Sequence, residues 1–317
     1  MASQEQYRQK QENISSILGV LRAQDLTRRE VCEKLGLSWA CVSDLVNELV
    51  GQKILTEEKI EASTVKGRKP VKLSLSRDKR FLGVDINRMG LHLCLCDLYG
   101  EKVVQSAFVL ECDTQEQLLH CVCSHVREML TPEVLGIGLA MQGPRLANGL
   151  WAFPGPCGEL RVDVATAVRE QSGLPVWIEH DPNCILLGFV DRPQGRMMTV
   201  RVDKGVGVSL CRNGQFSDDP LEVGRMPLDG RRLHEWMGTP QAGDYLGQAL
   251  GILCNLIDVD QVVLCGQRIA QDAAMFARLE NSYRATATAP VALRTEAVTD
   301  AALGAARLAT MRYPQGV

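Results

Sequence analysis

Ile14, Ile17, Leu18 and Leu21 recur at helical spacing near the start of the chain and predict an amphipathic first helix. Thr27-Arg28-Arg29-Glu30 then reads as a capping box, in which a hydroxyl and a carboxylate satisfy each other's backbone donors, with Val31 and Leu35 as the apolar stripe of a second helix. Gly36-Leu37 makes a short turn and Ser38 an N-cap for a third helix. On that helix Val42, Leu45, Val46 and Leu49 face inward, and Gly51 stands where its C-terminus is expected. A helix, a tight turn containing glycine and a second helix is the helix-turn-helix pattern. Past it the period drops to two. Ile54-Leu55 opens one strand, and Val71, Leu73 and Leu75 alternate with Lys72 and Ser74 in another. Lys66-Gly67-Arg68-Lys69-Pro70 lies between them as a basic tip, so the pair reads as a wing.

A wing beside such a helix suits double-stranded DNA. Residues near the start of a recognition helix meet base edges in the major groove, which makes Ser38, Trp39, Ala40, Ser43 and Asn47 candidate contacts, with Lys66, Arg68 and Lys69 on the wing. Ser43 or Asn47 can hydrogen-bond to bases, whereas Trp39 either joins this surface or plugs the domain core. Asp44 repels phosphate where helices of this kind commonly carry a base, so affinity is expected to rest on the wing. From Lys66 to Arg80 there are seven basic residues and one acidic one. The alternative is a winged helix used for protein contacts alone.

Charge agrees with this division. Residues 1–79 carry a net +3 and residues 80–317 a net −6, as expected for a polyanion-binding module joined to an acidic partner domain. The 317 residues allow two domains and a sizeable core. No apolar run is long enough to cross a membrane, and the polar start MASQEQYRQKQEN lacks the apolar centre of an export signal. The expectation is a cytoplasmic chain, with the twelve cysteines as free thiols.

After residue 80 a set of segments follows in a telling order: FLGVDINRMGLHLCLCDLYGEKV (81–103), GIGLAMQGPRLANGLWAFPGP (136–156), VWIEHDPNCILLG (176–188), MMTVRVDKGVGVSLCRNGQF (197–216), LEVGRM (221–226), VVLCG (262–266) and DAALGAA (300–306). Together with the Gly67–Pro70 segment they resemble the ROK family of repressors, open reading frames and sugar kinases. The resemblance implies an α/β fold: a winged helix-turn-helix over 1–79 and a two-lobed actin-like ATPase (ribonuclease-H-like) domain over 80–317. The lobes are expected at about 80–185 with a closing helix at 299–313, and at 186–298. In that closing helix, small residues at helical spacing allow close packing.

The family's chemistry is only partly present. Kinases cradle ATP phosphates with an Asp-x-Gly-Gly-Thr turn, since close backbone approach to phosphate needs glycine. Here Asp85 is followed by Ile86-Asn87-Arg88-Met89, and the second phosphate turn opens with Asp203-Lys204-Gly205. Asp181 falls at the position of the kinase base, where it suits proton abstraction or a sugar hydroxyl, and it also reads as the cap of a helix starting at Pro182. His180 replaces the family's Asn, Asn183 is kept, and Glu222 matches a sugar-hydroxyl ligand. Trp151 and Phe153 either stack on a sugar or pack in the core. Arg225 stands for the family's zinc-binding His, and the cysteine cluster that follows it is missing, so neither metal nor cofactor is expected. The interval from Glu222 to Gly266 is much shorter than the family usually holds.

The resemblance thus implies a repressor of carbohydrate-related genes with no catalytic residues, acting on an operator as a homodimer or tetramer. Asp181, Glu222, Asn183 and His180 are the candidate contacts for a sugar or sugar-phosphate effector. The alternatives are an active ATP-dependent sugar kinase and a ligand-free pseudo-sensor that works through protein contacts.

Overall fold

The computed structural model describes residues 2–59, 71–155, 157–190, 193–203, 205–217, 221–296 and 300–314. The wing-tip candidates Lys66, Arg68 and Lys69, and Lys204, lie outside the described residues.

The N-terminal unit packs helices α1 (Ala2–Ala23), α2 (Arg28–Leu35) and α3 (Trp39–Gly51) against strands β1 (Leu26–Thr27), β2 (Leu55–Lys59) and β3 (Val71–Leu75). The strands pair antiparallel in the order β1-β3-β2. Ile14, Ile17, Leu18 and Leu21 of α1 and Val42, Leu45, Val46 and Leu49 of α3 are all buried together. Both reciprocal bonds of the Thr27–Glu30 capping box form, Ser38 caps α3 at the Cys41 amide, and Gly36 ends α2 at φ 66°. Gly51 differs from expectation. It stays inside α3, and the chain reverses at Lys53, whose φ is 57°, as Gln52, Lys53 and Ile54 donate back to carbonyls of the last turn.

Beyond it stand two five-stranded sheets of like topology. The first contains β4 (Arg80–Asn87), β5 (Gly90–Asp97), β6 (Lys102–Phe108), β7 (Val134–Met141) and β10 (Val176–His180), in the order β10-β7-β4-β5-β6. Helix α4 (Gln115–Met129) precedes β7. The hairpin β8–β9 (Trp151–Gly155, Gly158–Val162) and α5 (Val164–Ser172) precede β10, and α6 (Asp181–Phe189) leaves it. The second sheet contains β11 (Arg196–Val202), β12 (Val206–Arg212), β13 (Gln215–Phe216), β16 (Gln261–Cys265) and β17 (Leu293–Glu296), in the order β13-β12-β11-β16-β17. Between β13 and β16 come the short strands β14 (Pro227–Leu228) and β15 (Arg231–Arg232) and helices α7 (Leu233–Trp236) and α8 (Ala242–Leu256). Helices α9 (Gln267–Gln271) and α10 (Ala273–Thr286) follow β16. In each sheet the first three strands form an antiparallel meander, and the later two run parallel to the first. Asn213 and Gly214, at φ 50° and 81°, make the two-residue turn between β12 and β13.

The last helix, α11 (Ala301–Arg312), returns to the first sheet and packs on β4, β7 and α6. Ala301, Ala302, Gly304, Ala305 and Ala306 are buried in that contact. Glycines on the other side complete it. A Cβ on Gly83 or Gly138 would run into the α11 backbone, and one on Gly304 into the Cys184 carbonyl of α6. Arg307 ties the same helix to the carbonyls of Gly100, Leu187 and Gly188.

No linker separates the winged helix from this assembly. One apolar cluster runs from α1 and α3 through Phe81 to α11. Arg22 of α1 donates to the Leu98 and Thr310 carbonyls at 2.8 and 2.9 Å, and Arg77 pairs with Asp97 at 2.7 Å. All twelve cysteines are free, and burial pushes the Cys94 and Cys265 thiols up to about 12. Because Gly304 abuts backbone, Gly304→Ala is expected to cost about 1–3 kcal/mol by overpacking. A urea midpoint equal to that of the native chain would refute this account of the joint.

Candidate functional site

The exposed side of α3 differs in detail from its expectation. Trp39 is 59% exposed, so it belongs to the surface and not to the core. Ala40, Asp44 and Asn47 are exposed beside it. Ser38 spends its hydroxyl on the helix cap, and the Ser43 hydroxyl is buried without a hydrogen-bond partner, turned away from a groove. Asn47 is held by a residue that sequence reasoning passed over. Arg28, at the first turn of α2, donates to Asn47 Oδ1 at 2.9 Å and to Glu57 at 2.7 Å, crossing from one helix of the motif to the other and on to the wing.

Between the two sheets, the turns that resemble phosphate cradles are already filled. The β4–β5 turn offers the amides of Arg88 and Met89, but Gln142 Oε1 accepts the first and Asn87 Oδ1 the second, each at 2.8 Å. At the second turn the Asp203 carboxylate accepts the Gln267 amide at 2.7 Å and places negative charge where phosphates would lie. Gln142, just past β7, left no local signal, since its partner lies 54 residues away.

Asp181 is 5% exposed and is the first residue of α6. It does not cap the helix. His180 holds the N-cap position and makes no side-chain cap bond. The Asp181 carboxylate instead accepts from Arg201 Nη1 at 2.6 Å, while Arg201 Nε reaches Asp203 at 2.6 Å. Arg201 lies on β11 of the second sheet, so this bridge joins the lobes and engages one oxygen of the Asp181 carboxylate. Burial works against the Arg201 charge, but Asp181, Asp203 and Asp85 outweigh it and raise the guanidinium's pKa. Strand alternation in MMTVRVD puts Arg201 opposite two apolar neighbours, a weak sign of an inward charge that went unread.

Asp85, on β4 near the same arginine, is 8% exposed. One carboxylate oxygen takes the Asn87 amide at 2.7 Å and the other is buried without a partner. Burial pushes its pKa up to about 7, with Arg201 opposing and Asp181 adding to the rise.

Two interlobe cavities flank the bridge. The larger, about 890 Å³, is lined by Asp85, Asn87, Arg201, Asp203, Glu235, Arg268 and Asp300 among others. Its four carboxylates against two guanidiniums make poor surroundings for a polyphosphate. The smaller, about 270 Å³, is lined by Arg145, Trp151, Glu179, His180, Asn183, Ser209 and Arg312 among others. Trp151 and His180 stack at 6.0 Å between centroids, with Trp151 also buried among the apolar residues of the first lobe. Phe153 belongs wholly to that core, at 2% exposure. Asn183 donates to Glu179 at 2.9 Å and accepts from Ser209. The four predicted effector contacts are therefore divided: His180 and Asn183 line the smaller cavity, Asp181 is sealed beside it, and Glu222 lines neither. Glu222 is exposed and paired with Arg225 at 3.4 Å, because the 3-10 turn Val223–Arg225 buries Val223 and leaves its neighbours outside. Among the described residues, no His, Cys, Asp and Glu side chains gather as a metal requires, and no helix is long and apolar enough to cross a membrane.

This two-lobed arrangement with a winged helix on its first lobe matches a solved ROK family transcriptional regulator, a homologue of the E. coli MLC protein. The TM-score is 0.79 over 96% of both chains, at 16% identity. The fold is that of the ROK family. The two-lobed part alone also matches a ROK hexokinase from Thermus thermophilus (TM-score 0.58, 18% identity, 72% of this chain and 97% of that one). A glucokinase from Streptomyces griseus in complex with glucose and AMPPNP is similar too (TM-score 0.57, 16% identity, 72% and 98%). Among curated sequences, the xylose repressors of Bacillus subtilis and Bacillus spizizenii are 22% identical over 225 residues, or 66% of this chain. The match spans 58% of the length of those repressors. No family model matches the sequence.

Two expectations follow for the ROK-fold cleft. Removing one partner of the Arg201–Asp181 bridge strands a buried charge, so Arg201→Met is expected to lower stability by about 3–5 kcal/mol, and adding Asp181→Leu to recover part of it. Urea midpoints of the single and double variants read this, and an undiminished single variant would show that the bridge carries no structural load. The folded protein holds the Asp85 proton up to about pH 7, whereas the unfolded chain releases it near its ordinary value of 3.8. Stability contributed by that proton is therefore lost as pH rises through this window. Asp85→Asn should flatten the decline in midpoint from pH 5 to pH 8, and an unchanged slope would count against the assignment.

Proposed function

We propose that this chain is a DNA-binding transcriptional repressor of carbohydrate-related genes, acting in the cytoplasm, whose two-lobed domain senses a small molecule and no longer transfers phosphate. Residues 1–79 form the DNA-reading unit and 80–317 the sensor and assembly domain, with lobes at 80–185 plus 299–313 and at 186–298. The observation that carries the reading is the joint between them: Arg22 of α1 is bonded to the end of α11, the helix that closes the first lobe. A change in the angle between lobes thereby reaches the winged helix without crossing a flexible linker. The regulator-like fold and the resemblance to xylose repressors support the same reading.

Kinase chemistry is opposed on physical grounds. Phosphoryl transfer depends on positioned phosphates and a free base. Here the cradle amides are taken by Asn87 and Gln142, and the candidate base is bound to Arg201. On DNA, Trp39, Ala40 and Asn47 face the groove, Arg28 fixes Asn47, and Lys66, Arg68 and Lys69 are assigned to phosphates. Ser38 and Ser43 act through α3 itself. Recognition as a homodimer or tetramer on a symmetric operator follows from how such modules pair with half-sites.

The test is fluorescence anisotropy with a DNA fragment from upstream of the protein's own coding region, with salt titrated. Affinity should fall steeply with salt, as several phosphate contacts require, and Trp39→Ala should weaken binding about tenfold, on the order of 1.4 kcal/mol. Absence of binding at low salt refutes the repressor reading, and ATP-dependent consumption of any sugar refutes the loss of kinase chemistry.

A further inference from the structure

The 270 Å³ cavity does not end at the cleft. It shares Arg145, Trp151, Ile178 and Arg312 with an adjoining hollow of about 470 Å³ on the outer side of the first lobe, so the two form one groove. The inner part is polar: the half-buried His180 ring packs on the nearly buried Trp151, and Glu179, Asn183 and Ser209 line it while bonded to one another. The outer part brings arginines. Arg145 is exposed and makes no ion pair or side-chain hydrogen bond among the described residues. Arg169 donates one Nη to the Val176 carbonyl at 3.3 Å, while its buried Nε has no partner. Arg312 holds Glu179 at 3.0 Å.

The acids beside them are already engaged. Glu179 also accepts the His180 amide at 3.0 Å and the Asn183 side chain at 2.9 Å, and Asp163 caps α5 at the Thr166 amide. The groove therefore offers unsatisfied guanidinium donors, whereas the larger cavity across the Arg201–Asp181 bridge offers carboxylates. Planar, forked donors of this kind recognise phosphate and carboxylate best.

We propose that this groove binds an anionic sugar, with its hydroxylated ring beside His180 and its phosphate or carboxylate held by Arg145 and Arg312. The assignment rests on the sensor reading above and specifies the charge of the effector. It also supplies a route for the signal. Arg312 is the last residue of α11, and the Thr310 carbonyl two residues earlier receives Arg22 of α1 at 2.9 Å. An anion that competes with Glu179 for Arg312 acts on the same helix turn that holds the DNA-binding unit.

The experiment uses the full chain in isothermal titration against three arms: hexose and pentose monophosphates, the corresponding sugar acids, and the neutral parent sugars, with inorganic phosphate alongside. At least one anionic sugar should bind tenfold or more tighter than its neutral parent. Arg145→Gln, an exposed change that should leave the unliganded melting temperature in place, should weaken that anion about tenfold and the neutral sugar little. Which anionic arm binds decides between phosphate and carboxylate. The site is refuted if no anionic sugar binds, if the neutral parent binds equally well, if inorganic phosphate alone binds as tightly as any sugar phosphate, or if Arg145→Gln leaves the anion's affinity unchanged. DNA binding measured on the same preparations separates the two readings. Anion binding without DNA binding refutes the repressor and keeps the site, while DNA binding without anion binding does the reverse.

Discussion

A guanidinium buried between two lobes constrains everything around it. Taking Arg201 and Asp181 out of water costs several kcal/mol per ion, and mutual attraction repays this only where geometry is good and the remaining donors are satisfied. Arg201 meets that demand with one nitrogen on Asp181 and another on Asp203, both at 2.6 Å. The same bridge fixes the spacing of β11 against the start of α6, divides the cleft in two, and occupies the carboxylate that a phosphotransfer enzyme would need free. The neighbouring turns agree, since Asn87 and Gln142 give the β4–β5 amides the partners that phosphates would otherwise supply.

Division of the cleft separates charge as well as space. On one side Asp85, Asp203, Glu235 and Asp300 outnumber Arg201 and Arg268, and on the other Arg145 and Arg312 outnumber Glu179. Asp85 illustrates what the acidic side costs: with one oxygen unpartnered, burial holds its proton up to about pH 7. A polyphosphate entering that cavity would meet more carboxyls than guanidiniums and β4–β5 amides that are already bonded. An anion entering the other would meet guanidiniums whose present partners leave donors to spare. The charge balance of the two hollows favours opposite ligands.

Local features were legible in the sequence because they are decided within one turn of chain. The Thr27–Glu30 box, the Ser38 cap, the stripes of α1 and α3 and the small-residue face of α11 all appear where spacing and residue type placed them. The exceptions are also local in cause: at the end of α3 the last-turn carbonyls, not Gly51, set the reversal at Lys53. The site was legible only by outline. Arg28 with Asn47, Gln142 with Arg88 and Arg201 with Asp181 are pairs separated by 19, 54 and 20 residues, and nothing in either partner's neighbourhood announces the other. Glu222 shows the converse, in which a motif match survives while the side chain stands exposed, paired with Arg225, and lines neither cavity.

What joins these parts is α11. It can lie against β4, β7 and α6 only because Gly83, Gly138 and Gly304 remove the side chains that would hold it off, so the helix has little freedom to shift within the first lobe. A rigid helix of this kind transmits displacement instead of absorbing it. Its start is anchored at Asp300, which pairs with Lys102 and borders the acidic cavity; its end carries Arg312 at the basic groove and the Thr310 carbonyl that holds Arg22. Both hollows therefore bear on one element, and that element is bonded to the first helix of the winged unit. Close packing, more than any single contact, is what ties both hollows to the first helix of the winged unit.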